Sequence, residues 1–256
     1  MKYKISQPQY IYEPGQRSNQ EDSLYPLPGQ LTPGQQFFIL CDGMGGHDSG
    51  EIASSTVCES MGAYITGKLE SAVPFSRQLF DEALEYAYSA LDARDNPDSV
   101  KKMGTTMTFL MFCREGAFAA HIGDSRIYQF RPGIAEPIFK TRDHSLVNDL
   151  ILLGELTEEQ ARHSRSRNII TRAIQPGKDN RTNADVRLLT DILPGDWFYM
   201  CTDGMLEQMD DDELCSIITD PLLTDGEKRS HLTEKTSGNR DNHTAFLIHV
   251  TDVAES

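Results

Sequence analysis

Two short apolar runs limit what this chain can fold into more than any other feature. Phe37–Cys41 (FFILC) and Trp197–Cys201 (WFYMC) show no helical spacing. Each leads almost at once into an acid and a glycine, Asp42-Gly43 and Asp203-Gly204. A brief apolar run bounded by turn residues reads as a buried strand. Asp42 then stands at the mouth of its strand, and Gly43, Gly45 and Gly46 let the backbone come close to whatever that acid faces. One Asp-Gly pair is usually a turn. Two strand ends built alike call for a shared explanation.

Around these runs the elements come in blocks. Strand-like segments near 3–12 and 37–41 precede two helices, roughly 49–69 and 76–92. The first opens with Asp48 and Glu51 in capping-box spacing, and the second sets Leu79, Phe80, Ala83, Leu84, Ala87, Ala90 and Leu91 on one face. Four strand candidates follow (TTMTFLMFC, AFAAHI, RIYQF, EPIFK), separated by REG, GDS and RPG turns, and they read as a meander. A helical stretch from 144 to about 163 has Gly154 as a stop and a capping box from Thr157 to Gln160. Strands at 185–190 and 197–202 flank LPGD, and short helices near 211–218 and 224–236 lead to the closing strand HTAFLIHV. Strands grouped with strands, and helices with helices, predict an α+β fold with antiparallel sheets. No linker or repeat interrupts the chain, so residues 1–256 read as a single domain.

Thirty-nine acidic against 24 basic residues give a formal net charge of −15. That charge opposes binding to nucleic acid or to anionic membranes. No apolar run reaches the length of a membrane span, and MKYKISQPQYIYEPGQ lacks the apolar core of a secretory signal, so a cytoplasmic setting is expected. The five cysteines, at 41, 58, 113, 201 and 215, form no C-x-x-C pair, and none has Arg six positions later as a thiol phosphatase would.

The acids remain. Glu21 and Asp22 stand in RSNQED, Asp42 in CDGMGGH, Asp124 in HIGDSR, Asp203 in CTDGM and Asp241 in GNRDN. Asp42, Asp124 and Asp203 each follow an apolar strand and precede a small residue, whereas Asp241 lies before the closing strand. If the sheets gather these ends, bare carboxylates about 5 Å apart repel by roughly 3 kcal/mol at an effective dielectric near ~20. Protonation or bound cations relieve that, and magnesium or manganese suit an all-oxygen site.

Taken in order, RSNQED, CDGMGGH, MGTTMT, HIGDSRIY, TRDHSLV, GELTEEQARHSRSRNIITRAI, CTDGM and RDNHTAFLI resemble the metal-dependent serine/threonine protein phosphatases of type 2C, in their compact bacterial form. The resemblance covers about residues 10–250. It implies a four-layer αββα sandwich with a metal centre at one edge and a flap-like segment roughly at 145–182. It also implies two or three Mn2+ or Mg2+ ions and hydrolysis of phosphoserine and phosphothreonine by a metal-activated water, with no covalent intermediate. Asp42 matches the acid that bridges two metals, with Glu21 and the Gly43 carbonyl on one side and Asp203 and Asp241 on the other. Asp124 with Asp203 matches a third metal site. Asp22 and Asn242 match supporting positions, and Arg17 matches the phosphate-binding arginine. Read without the motif, Arg17 pairs with Glu21 four positions on. Phosphorylated proteins, and by family analogy a cognate serine/threonine kinase, are the implied partners.

Two positions depart from the family pattern. Met44 stands where animal members usually carry a proton-donating histidine, and His47 occupies a later position of the motif. Glu207 stands where Asp is usual, and its extra methylene weakens the expected third site. His144 reads best as a buried, hydrogen-bonded histidine, and His121 has no evident partner. The basic residues Arg162, Arg165, Arg167, Arg172 and Arg181 read either as an attractor of acidic phosphoprotein or as solvated arginines tied to nearby acids. Two other functions compete. One is a catalytically weak or inactive phosphatase-fold module that binds phosphoproteins, and the presence of all the metal acids argues against it. The other is a two-metal nuclease, which the negative charge argues against.

Overall fold

The computed structural model describes residues 2–45, 49–96, 102–166 and 168–254. Two six-stranded antiparallel sheets carry the chain. One consists of β1 (Lys2–Ile5), β2 (Gln9–Glu13), β8 (Arg126–Phe130), β9 (Phe139–Lys140), β11 (Trp197–Cys201) and β12 (His243–Ala254). The other consists of β3 (Asp22–Tyr25), β4 (Phe37–Met44), β5 (Gly104–Thr105), β6 (Met107–Cys113), β7 (Gly116–Ile122) and β10 (Asp185–Leu189). The helices are α1 (Ser49–Glu70), α2 (Arg77–Asp92), α3 (Leu146–Leu152), α4 (Glu158–Arg162), α5 (Asp211–Thr219) and α6 (Asp225–Thr236).

The two apolar runs are continuous because both faces of their strands are buried. In β4, Phe37, Ile39 and Cys41 pack with Val57 and Met61 of α1 and Phe80 of α2, while Phe38 and Leu40 turn the other way to meet Phe198, Phe246 and Ile248 of the first sheet. In β11, Phe198 and Met200 join that inter-sheet layer, and Trp197, Tyr199 and Cys201 pack on Leu214 and Ile218 of α5 and Leu232 of α6. Period-2 alternation thus builds three apolar layers between four layers of structure, and the expected αββα sandwich is borne out.

Several sequence expectations need correction. The meander breaks at GDS: β7 pairs with β6 and β10, whereas β8 pairs with β11 and β9. Gly123–Ser125 is therefore a crossover between sheets, and it carries Asp124. The strands expected on either side of LPGD are present as β10 and β11, which belong to different sheets. EPIFK contributes only Phe139–Lys140 as strand. β4 runs on to Met44, which puts Asp42 inside the strand rather than at its mouth. The Thr157–Gln160 capping box is present with both reciprocal bonds, while Asp48 lies outside the described residues. No helix among the described residues is long and apolar enough to cross a membrane.

Candidate active site

Asp42 is fixed first by its backbone. Its N–H donates to Thr106 Oγ1 (2.9 Å), and its carbonyl accepts from Thr106 N (2.9 Å) and Thr105 Oγ1 (2.8 Å). Directly across the sheet stands Asp22 of β3. Asp22 is 1% exposed, and its Oδ2 accepts from the Thr202 hydroxyl at 3.0 Å. The same hydroxyl oxygen accepts the Thr244 N–H at 3.0 Å. Thr202 thereby ties the ends of β11 and β12 in one sheet to the acid pair in the other, and the next residue is Asp203. The Asp203 and Asp42 carboxyls lie close enough to share a hydrogen bond.

A second strand of contacts brings in Glu21, Gly43 and Asp241. Gly43 N donates to the Glu21 carbonyl at 3.0 Å, and Glu21 N donates to Asn242 Oδ1 at 2.8 Å. Asn242 Nδ2 is shared between the Pro14 and Asn19 carbonyls, each at 2.9 Å. Gly50 opens the space here. A Cβ on it would lie 2.9 Å from the Glu21 carboxyl carbon and 3.0 Å from the Gly43 carbonyl oxygen, so those two groups face one small region. Asp241 Oδ2 accepts from Arg17 at 2.8 Å, an ion pair with Arg17 half-exposed.

The electrostatics are those of crowded acids. Burial pushes the Asp42 carboxyl well above the ordinary carboxylate range, and Asp22, Asp203, Asp124 and Asp241 push it further. Burial raises Asp22 to about 7, with the nearby Thr244 and Thr202 hydroxyls pulling back and Asp203 and Asp241 adding to it. Asp124 also stands at about 7, through burial and then Asp203 and Asp143. Asp203 is raised by burial and by Asp241. Oδ1 of Asp22 and Oδ1 of Asp124 are buried without a hydrogen-bond partner. Oxygen-only donors, two of them orphaned, in a nest that penalises bare negative charge fit a hard divalent cation.

Residues 16–243 match the family model for protein phosphatase 2C. The chain belongs to the protein phosphatase 2C family. Protein phosphatase PhpP of Streptococcus pneumoniae is 32% identical over 217 residues, 84% of this chain and 86% of PhpP. The crystal structure of the Mycobacterium tuberculosis serine/threonine phosphatase PstP/Ppp matches with a TM-score of 0.80 at 27% identity, covering 97% of this chain and 100% of that one. The catalytic domain of PstP solved in complex with two manganese ions matches at 0.77 and 27% identity, covering 97% and 99%.

Within this 2C-type phosphatase, the acids singled out from sequence converge, and the other candidates are more scattered. Arg17 pairs with Asp241 rather than Glu21. Glu207 Oε2 accepts the Arg240 N–H at 2.8 Å and so ties the turn after Asp203 to the loop before Asp241. His47 and Arg167 lie outside the described residues. Arg172 pairs with Asp185 at 2.9 Å, and Arg181 pairs with Asp92 at 2.7 Å while lying over the Tyr88 ring, so these two arginines are tied to acids.

His144 is buried and hydrogen-bonded, as expected, and His121 has partners after all: the Arg142 carbonyl at 2.8 Å and the His144 ring stacked at 4.5 Å. With Asp185 these histidines place three ligand atoms within 4.8 Å of one another. They nevertheless read as a hydrogen-bonded knot. Gly123 N donates to His144 Nδ1 at 3.1 Å, which puts that ring's hydrogen on Nε2, facing Asp185 at 3.3 Å. A metal on Nε2 would move the hydrogen to Nδ1 and break the Gly123 bond. Sequence reasoning missed Thr106 and Thr202. For Thr202 the available signal was a threonine beside an acid at a strand end, but its meaning depends on the pairing of two separate sheets, and Thr106 has no acid beside it in sequence.

Proposed function

We propose that this protein is a divalent-cation-dependent phosphatase that hydrolyses phosphoserine and phosphothreonine in proteins. Bound Mn2+ or Mg2+ would supply Lewis acidity, lowering the pKa of water near neutrality and offsetting charge on the phosphoryl oxygens. In this reading Asp42 would hold cations together with Glu21 and the Gly43 carbonyl on one side and Asp203 and Asp241 on the other, and Asp124 with Asp203 would hold a further one. Asp22, held by Thr202, and Asn242, which anchors Glu21, keep those ligands oriented. Arg17, half-exposed beside Asp241, is suited to grip two phosphate oxygens at once. Met44 offers no proton, so the leaving oxygen is protonated from elsewhere. Phosphorylated proteins are the substrates, a serine/threonine kinase and its targets among them.

The observation that supports this most is the meeting of carboxylates from β3, β4, the crossover after β7 and the end of β11, of which Asp22 and Asp124 are buried with orphaned oxygens. The test is phosphate release from a phosphothreonine peptide. Turnover with manganese, lost with chelator and lost in Asp203→Ala, bears the reading out. Binding of the phosphopeptide without turnover in the manganese-loaded wild type overturns it.

A further inference from the structure

We propose that His144 is a positioning residue that holds Asp124 at the metal centre, through acceptance of the Gly123 N–H by its Nδ1 atom. The proposal rests on the reading above that Asp124 ligates a cation.

Asp124 belongs to no strand. It sits on the Gly123–Ser125 crossover, where no ladder sets its direction, yet it is 9% exposed with an orphaned Oδ1. Gly123 adopts φ +103°, and a Cβ there would lie 2.6 Å from Thr106 Cγ2, so only glycine fits. Glycine leaves the crossover conformationally free unless something pins it. Two neighbours do so. On one side, Ser125 Oγ meets Thr106 Oγ1 at 2.7 Å, and Arg126 clasps Asp143 with two bonds of 2.7 Å. On the other, His144 closes a reciprocal pair: Gly123 N to His144 Nδ1 at 3.1 Å, and His144 N to the Gly123 carbonyl at 2.9 Å.

The imidazole is prepared for that task. Asp185 Oδ2 lies 3.3 Å from Nε2, which keeps the ring hydrogen there and leaves the Nδ1 lone pair free to accept. Arg172 Nη1 holds Asp185 Oδ1 at 2.9 Å and lies 3.4 Å from His144 Nε2 itself, and His121 stacks under the ring with planes 11° apart. Burial lowers the His144 pKa, favouring the neutral ring. A ligand carboxylate must be held to within about 0.5 Å, and partners behind the ligands set metal affinity.

Two amides separate the ring's two faces. His144→Asn places an amide oxygen near the Nδ1 position, whereas His144→Gln reaches the Nε2 position and leaves Gly123 N without an acceptor. The experiment titrates Mn2+ into wild type, Asp124→Ala, His144→Ala, His144→Asn and His144→Gln, reading free Mn2+ by its electron paramagnetic resonance signal. Near-UV circular dichroism confirms the fold of each. Asp124→Ala should lose one binding step. His144→Ala should weaken that same step by about tenfold and leave the others unchanged. His144→Asn should restore it to within about threefold, and His144→Gln should not. A His144→Ala titration like wild type, or rescue by Gln instead of Asn, overturns the proposal. If His144→Ala does not fold, the Asn and Gln variants decide by the same rule. An Asp124→Ala titration identical to wild type removes the premise, and with it the proposal, while leaving the phosphatase reading to its own assay.

Discussion

Asp22 and Asp42 face each other across the β3–β4 ladder, their Cα atoms in register, with Asp22 buried and Asp42 partly buried. Neighbouring strands ordinarily spend such a position on an apolar pair. Here the pairing puts two acids side by side at the edge of the sandwich. Thr202 reaches Asp22 from the opposite sheet, so the acid pair also marks where the two sheets meet.

This crowding predicts an inverted pH dependence for the metal-free protein. Asp22 and Asp124 titrate at about 7 in the fold against 3.8 ordinarily, so the fold binds their protons more tightly than the unfolded chain does. Their contribution to stability is complete at low pH and is lost as pH rises through about 7. With chelator present, Tm should fall between about pH 4 and 7, and Asp22→Asn should flatten that slope. Manganese at about 100 times its Kd should raise Tm by roughly 5–10 °C, more at high pH than at low. A Tm in chelator that climbs steadily across this window contradicts the account.

Thr202→Val tests the link between the sheets. The hydroxyl is fully buried, donates to Asp22 and accepts from Thr244 N, and valine supplies neither function. A loss of about 1–3 kcal/mol is expected in chemical denaturation. Manganese affinity should weaken by about tenfold or more, because Asp22 is no longer oriented. Unchanged manganese affinity would show that Asp22 does not serve the centre.

Two glycine substitutions separate packing from the site. A Cβ at Gly43 would lie 2.2 Å from the Gly50 carbonyl oxygen and 2.5 Å from that of Glu21, whereas at Gly62 it would strike the Tyr25 ring at 2.5 Å. Both Gly→Ala variants should lose roughly 1–3 kcal/mol. Only Gly43→Ala should also lose manganese affinity, measured by calorimetry, since it moves the carbonyl beside Glu21. Equal affinities in both variants would remove Gly43 from the site.

Arg17 should matter for turnover and little for stability. Its ion pair with Asp241 is half-exposed, and such pairs contribute about 0–1 kcal/mol. Arg17→Ala should lower kcat/KM on a phosphopeptide roughly 10- to 100-fold, with Arg17→Lys recovering part of it. A drop of under about twofold would assign the phosphate grip to another residue.

The elements that could be read from sequence were those whose signal is local. The apolar runs of β4 and β11, the stripe of α2 and the Thr157 capping box all appear where expected. The acids stood out because each interrupts or follows such a run. The four-residue β3 did not, because Asp22 opens it within a polar stretch. A hairpin and a crossover between sheets both look like a short turn with glycine, so GDS alone does not show that the expected meander breaks there. Arg17 and Glu21 do not face each other because the segment between them is bend and irregular backbone rather than helix, and the four-residue spacing carries no meaning there. Thr202 and Thr106 act across sheets or between neighbouring strands, through contacts that no local pattern encodes.

The central claim is that Asp42, Asp203 and Asp241 hold the cation. Crystals soaked in manganese and measured at the manganese absorption edge would test it most directly. The account predicts anomalous density within coordination distance of Asp42 and Asp203, at about 2.0–2.6 Å from their oxygens. Manganese found instead at His121, His144 and Asp185, with none among the acids, would contradict it.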